Sequence, residues 1–248
     1  MTVRTIDHVL EELDGVVAHY RSRGHRGGYF AALYRRVTRE VAAWIAADRF
    51  DDGARMERLD VLFADRYLDA VRARDAGRPT SRAWRVAFDS AEDWWPIVLQ
   101  HLLLGMNAHI NLDLGIATAQ TAAGERLIEL RRDFLRINEL LASLVDDVQD
   151  RLGEVWPHLR LLDWVGGRGD EGTMHFSIER ARDGAWALAT ALHACPPEAW
   201  EIPIQATDRY VALLGGKVRH PGPLFGSTLR VIRLGERRDV QEVIDLLS

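Results

Sequence analysis

The sequence predicts an all-α protein: seven or eight helices in a single domain, 1–248, packed round one buried central helix at about 94–118. Three observations carry that prediction. Apolar residues recur at helical spacing over most of the first 152 positions. The stretch Trp94–Leu112 carries no formal charge, as an interior segment would, yet it includes Gln100, His101, Asn107, His109 and Asn111. No internal repeat and no alternation of strand-like and helix-like segments suggests a parallel sheet.

The elements follow in order. Residues 5–21 read as a first helix, opened by Thr5 as cap with Asp7 and Glu11 following, and Arg23–Gly28 as a turn. A second helix over about 29–47 turns Phe30, Leu33, Tyr34, Val37 and Val41 to one side. A third, about 55–75, does the same with Leu59, Leu62, Phe63, Tyr67, Ala70 and Val71. Gly77–Thr80 breaks the chain, and Ser81–Glu92 leads into Trp94 and the central helix. A long amphipathic helix spans about 125–152, with Leu127, Leu130, Phe134, Ile137, Leu141, Leu144 and Val148 in register. Residues 156–172 read as loop. Their Arg168-Gly169-Asp170 is a surface turn, and no Lys-Ser/Thr follows the glycines as a phosphate loop requires. Another helix is expected at about 173–194. Residues 196–235 read as an irregular lid or wrapping segment with one short strand-like run, Leu229–Leu234, before a last helix from Val240.

Composition narrows the function classes. A net charge of −5 gives no general attraction for nucleic acid, so no nucleic-acid partner is expected. The arginines at 21, 23, 26, 35, 36 and 39 read as a solvated helix face. Pro96, Gln100 and the histidines and asparagines argue against a membrane span at 94–112. One cysteine, Cys195, excludes an intrachain disulfide and fits a reducing compartment. With an N-terminus lacking the apolar core of a signal peptide, the expected location is cytoplasmic. Lys217 is the sole lysine, which leaves little scope for Schiff-base chemistry.

On a wheel of about 100° per residue, His101, Gly105, His109 and Asp113 form one slanting ridge of the central helix. His109 and Asp113, one turn apart, can form a carboxylate–imidazole hydrogen bond or share a metal. Gly105 removes a side chain from that ridge, leaving room for a ligand or for a closely packed helix. Gln100, Asn107 and Asn111 fall on a second stripe, read as a structural network tying helices together. Arg66 adjoins the apolar face of the third helix and needs a carboxylate or a ligand anion there. Asn138 likewise wants a partner.

The string His101–Leu114, with Phe30-Ala-Ala-Leu-Tyr34, Thr38, Asp133–Asn138 and Arg182-Asp-Gly-Ala-Trp186, resembles a bacterial family of unknown function, DUF5995, over roughly residues 25–195. The resemblance implies no activity. More loosely, the His109-x-x-x-Asp113 spacing is similar to a zinc-holding pair in all-helical phospholipase C and single-strand nuclease enzymes, which use many more histidines than the nine here.

Three function classes fit these residues. One is a lyase- or isomerase-type enzyme acting on a hydrophobic small molecule between helices. Its acid–base groups would be His109, oriented by Asp113, and His101. Trp94, Trp95, Trp186, Tyr67, Asn107 and Asn111 would wall the pocket, and Arg66 or Arg182 would hold an anionic oxygen. The second is a metal-dependent hydrolase or oxygenase, with zinc, iron or manganese on His101, His109 and Asp113 and with Asp65 or Asp69 as further ligands. The third is a non-catalytic helical module binding a ligand or partner, in which the ridge is a core hydrogen-bond network.

Overall fold

The computed structural model describes residues 4–155, 178–236 and 239–248, with side chains described in all but 142–155 and 223–225 of these. The loop expected at 156–172, its Arg-Gly-Asp turn and the first residues of the helix expected from 173 lie outside the described residues. The rest is all-α. The helices are α1 (Ile6–Ser22), α2 (Gly27–Ala46), α3 (Gly53–Asp75), α4 (Arg82–Glu92), α5 (Val98–Ala108), α6 (Leu114–Thr121), α7 (Leu127–Val155), α8 (Ile178–His193), α9 (Glu201–Arg219), α10 (Pro223–Gly235) and α11 (Val240–Leu247). No described helix is long and apolar enough to cross a membrane.

Helices α5 and α6 are one rod, joined through a π-helical turn at His109–Asp113. It is the central helix of the sequence reading, set four residues later. Trp94 and Trp95 precede it as a turn and are about half exposed, their rings under the guanidiniums of Arg233 and Arg230. The rod is touched by α2, α3 and α4 and by α8 and α9. Its interior position explains the missing charges. Its buried amides are tied to neighbours. Gln100 donates to the carbonyl of Val218 (2.7 Å) and accepts from the Ile97 amide (3.0 Å). Asn107 donates to the carbonyl of Val211 (2.9 Å) and accepts from Asn111 (3.2 Å). The second stripe thus stitches the rod to α9, satisfying amides that would be costly if buried alone.

Helices α9 and α10 occupy most of the stretch expected to be irregular, and raise the helix number above seven or eight. The strand-like run Leu229–Leu234 lies inside α10, where Leu229, Ile232 and Arg233 are buried while Arg230, Val231 and Leu234 are exposed. That is the i, i+3, i+4 period of a helix, which a six-residue run is too short to separate from alternation. Helix α9 buries a narrow stripe of small residues, Val211, Gly215 and Val218, and exposes Ile202, Tyr210 and Leu213. Its amphipathic signal is correspondingly weak. A Cβ on Gly215 would come within 3.3 Å of the Asn107 amide, so the small residue permits the stitch.

Gly105 has a similar reason. A Cβ there would lie 2.3 Å from Cγ of Phe30 on α2, so the gap is filled by a neighbouring ring and holds no ligand. Gly105→Ala gains about 1 kcal/mol of helix propensity but overpacks the α2 seam at a cost of about 1–3 kcal/mol. With contact this short, a net loss is expected, visible as a melting temperature lowered by several degrees. An unchanged or raised melting temperature would show that Phe30 swings aside freely.

Candidate functional site

The site is built where the rod's π turn meets α2, α3 and α4. A π turn accepts one extra residue between bonded groups, and such turns recur at functional sites. Within it His109 and Asp113 are each 2% exposed. Nδ1 of His109 lies 3.1 Å from Oδ2 of Asp113. The same oxygen accepts from the indole N–H of Trp84 on α4 (2.8 Å), and Oδ1 accepts from Nε of Arg66 on α3 (3.0 Å). Arg66 therefore finds the carboxylate its position demands.

Three donors fix the Asp113 carboxylate, and the carboxylate fixes the ring of His109. Burial pushes the His109 pKa below the ordinary histidine value, against the opposing pull of Asp113, so the ring is neutral at physiological pH. A neutral ring carries one proton. The acceptor at Nδ1 places it there, and leaves Nε2 as the basic nitrogen. Nε2 is buried and has no hydrogen-bond partner. The ring is clamped in aromatic surroundings: it stacks on Phe63 at 3.6 Å between centroids and stands edge-on to Tyr34 at 4.5 Å.

His109 lines an apolar cavity of about 230 Å³ between α2, α3, α5, α7 and α8. Leucines, isoleucines, valines, Met56 and Met106, Phe30 and Phe63 supply most of the wall. The polar members among the described residues are His109, Tyr34, Asp60 and Arg182. Three of them have a buried polar atom without a partner, Nε2 of His109, Oδ2 of Asp60 and Nε of Arg182, while the Tyr34 hydroxyl faces that of Thr38. Burial raises the Asp60 carboxyl from its ordinary 3.8 to about 7, with Glu57 adding to the effect, and raises the Tyr34 phenol well above its usual value. Arg182 donates to the carbonyl of Phe134 and lies over that ring at 4.3 Å. Burial draws its pKa down to about 10. On the opposite side of the dyad, Asp113 and Trp84 line a polar crevice of about 420 Å³ with Arg66, Arg78, Thr80 and Ser81. The dyad thus stands between an apolar cavity and a polar crevice.

A model of a family of unknown function, DUF5995, matches residues 6–221. The chain belongs to DUF5995. No curated protein and no solved structure matches it. The DUF5995 match spans every residue of the cavity wall and stops before α10 and α11. The segments that carried the resemblance divide by role. His101–Leu114 and Phe30–Tyr34 form the rod–α2 seam and the dyad. Asp133, fully buried, accepts from the amides of Asp51 (2.8 Å) and Asp52 (3.0 Å) and anchors the α2–α3 turn. Arg182 reaches the cavity.

The other expected residues are placed as follows. His101 sits edge-on to Tyr29 at 5.7 Å, its pKa lowered to about 3 by burial and by the nearby Arg26 and Arg233. Phe30, packed against Gly105, separates it from His109, and it lines neither cavity. The set His101, His109 and Asp113 therefore does not assemble round one point. Among the described residues no three His, Cys, Asp or Glu side chains come together as metal ligands. Asp65 and Asp69 pair instead with Arg4 (2.9 Å) and Arg72 (3.1 Å). Trp94 and Trp95 lie on the surface, and Asn107 and Asn111 in the α9 stitch. Trp186 packs on Phe134 and under Arg131, outside the cavity lining. Tyr67 is buried in the aromatic surroundings of His109, 6.0 Å away. The Oδ1 atom of Asn138 is buried without a partner.

Sequence reading missed Asp60 and the polar use of Tyr34. A signal for Asp60 was present: with Phe63 and Tyr67 it keeps i, i+3, i+7 spacing, a carboxyl inside an apolar stripe.

Proposed function

We propose that this chain is an enzyme of lyase or isomerase type that moves a proton on a small, mainly apolar molecule held in the 230 Å³ cavity. His109 is the base. Its Nε2 takes the proton from the substrate, and Asp113 stabilises the imidazolium that forms, itself held by Arg66 and Trp84. Asp60, whose carboxyl keeps its proton to near neutral pH, is the donor at another part of the same wall. Two groups pushed apart in opposite senses by burial suit the acid and base roles at one pH. The observation that supports this reading above the others is the unpartnered basic nitrogen of His109 on an apolar cavity, oriented through Nδ1 by a carboxylate. For scale, an engineered apolar cavity of about 150 Å³ admits benzene, so this one has room for a ring with a short chain.

A second reading, a ligand-binding module without chemistry, draws on one fact: the dyad is almost completely enclosed, as a core network would be.

Solvent isotope exchange separates the two. Ketones and keto acids of six to ten carbons, incubated with the protein in D₂O, are expected to take up deuterium next to the carbonyl, followed by proton NMR. His109→Gln should slow that exchange by about 100-fold or more, the usual contribution of a positioned base. Saturation-transfer signals from bound probes without deuterium uptake would instead establish the binding module. Exchange that is equally fast in His109→Gln would remove His109 from the chemistry.

A further inference from the structure

Among the described residues the cavity wall carries one cation, Arg182, and one carboxyl, Asp60, and they form no ion pair. Arg182 forms no ion pair among the described residues. Its bond to the Phe134 carbonyl and its position over the Phe134 ring leave Nε unpartnered at 5% exposure of the residue. The carboxylate that acts on its ionisation is the adjacent Asp183, outside the cavity lining, and not Asp60. Among the described residues of the wall, then, no carboxylate pairs with the guanidinium, and Asp183 outside it forms no ion pair with it either. A guanidinium removed from water with no counter-charge is among the most costly arrangements a protein interior can hold. Structural arginines of this chain show the alternative. Arg233, also buried, is neutralised by Glu236 at 3.1 Å, and Arg55 lies among Asp52, Glu125 and Asp133 within 3.9 Å.

Resting on the reading of the cavity as a ligand site, we infer that the ligand is a small monocarboxylate, its apolar body in the leucine-rich wall and its carboxylate on Arg182. One cation with one aromatic and one carbonyl contact already made has capacity for a singly charged planar head. A phosphate monoester would bring up to two charges and three acceptor oxygens, and the described residues of the wall offer no second cation to meet them. The bound carboxylate would also keep its distance from the Asp60 carboxyl, which is protonated up to about pH 7 and so adds little repulsion below that. The cavity volume suits a body of about eight carbons, by comparison with benzene in about 150 Å³.

The test is calorimetric titration of the whole protein with two pairs of probes matched in body and differing in head: octanoate against 1-octanol, and 3-phenylpropanoate against 3-phenylpropanol. At pH 6.5 each acid is expected to bind the wild type at least 10-fold more tightly than its alcohol. Arg182→Met should abolish that preference and leave the affinity for the alcohols within 2-fold. Equal affinity of acid and alcohol for the wild type overturns the inference without any variant, so a misfolded Arg182→Met cannot hide the answer. Alcohols that bind while acids bind no better defeat the carboxylate head but leave the cavity reading intact. Failure of all four probes to bind defeats both. A preference for the acids that survives in a folded Arg182→Met assigns the head to another group and overturns the role of Arg182.

Discussion

Asp113→Ala is expected to destabilise the protein by about 3–5 kcal/mol, because it strips three donors of one acceptor at once. The carboxylate is 2% exposed and takes hydrogen bonds from Arg66, Trp84 and His109 on three different elements. Its removal leaves an indole N–H and an imidazole N–H buried without partners, each costing about 1–3 kcal/mol, and removes a polar tie of α3 and of α4 to the rod. Arg66, about one-third exposed, can turn into the polar crevice, so its share is the smallest. Urea unfolding at pH 7 measures the loss directly. A loss below about 1 kcal/mol would mean that water from the crevice replaces the carboxylate, and the picture of a rigid clamp would fail. Asp113→Asn separates architecture from chemistry. The amide keeps the shape but can donate to Nδ1, which moves the ring proton to Nε2 and removes the base. Deuterium exchange should then fall as in His109→Gln while more of the stability is retained.

The central rod was legible because burial on all sides leaves a plain mark, a run without charge whose few polar residues must be paired. The wheel also placed His101, Gly105 and His109 correctly on one seam: they meet Tyr29, Phe30 and Tyr34 of α2 in turn. What the wheel cannot show is what fills the space between them. Phe30 occupies the notch at Gly105, and so the two histidines eight residues apart do not share one site. Nor can sequence foresee a π turn, which inserts a residue and shifts the helical phase where Asp113 swings towards α3 and α4. Helices α9 and α10 escaped notice because their buried faces are narrow and their exposed faces apolar. Asp60 escaped for the opposite reason: a single carboxyl beside Leu59 and Val61 reads as the polar edge of an amphipathic helix until the neighbours of that edge are known.

Asp60 makes the second large prediction, a falling stability with rising pH that Asp60→Asn removes. In the unfolded chain this carboxyl loses its proton near its ordinary 3.8, and in the folded chain only near 7, because burial disfavours the charge. Between those values folding binds a proton, so stability declines as pH rises through about 4 to 7 and is level outside that window. The gap corresponds to about 4 kcal/mol. His101 and His109 act in the other sense. Their folded values lie below the ordinary 6.5, so their contribution is lost as pH falls below it, for His101 down to about 3. The wild-type profile is the sum of these opposed slopes, and only a difference between two proteins isolates one group. Asparagine is a neutral mimic of the protonated carboxyl, so the variant should match the wild type near pH 4 and exceed it by up to about 4 kcal/mol at pH 8. Chemical unfolding at one-unit steps from pH 4 to 8 gives both curves. Parallel curves would place the Asp60 proton outside the folding equilibrium and deprive the site of its acid. A gap that opens across the window would instead mean that the folded protein keeps an unpaired carboxyl against a standing cost to stability, which a proton donor on an apolar wall explains and a packing role does not.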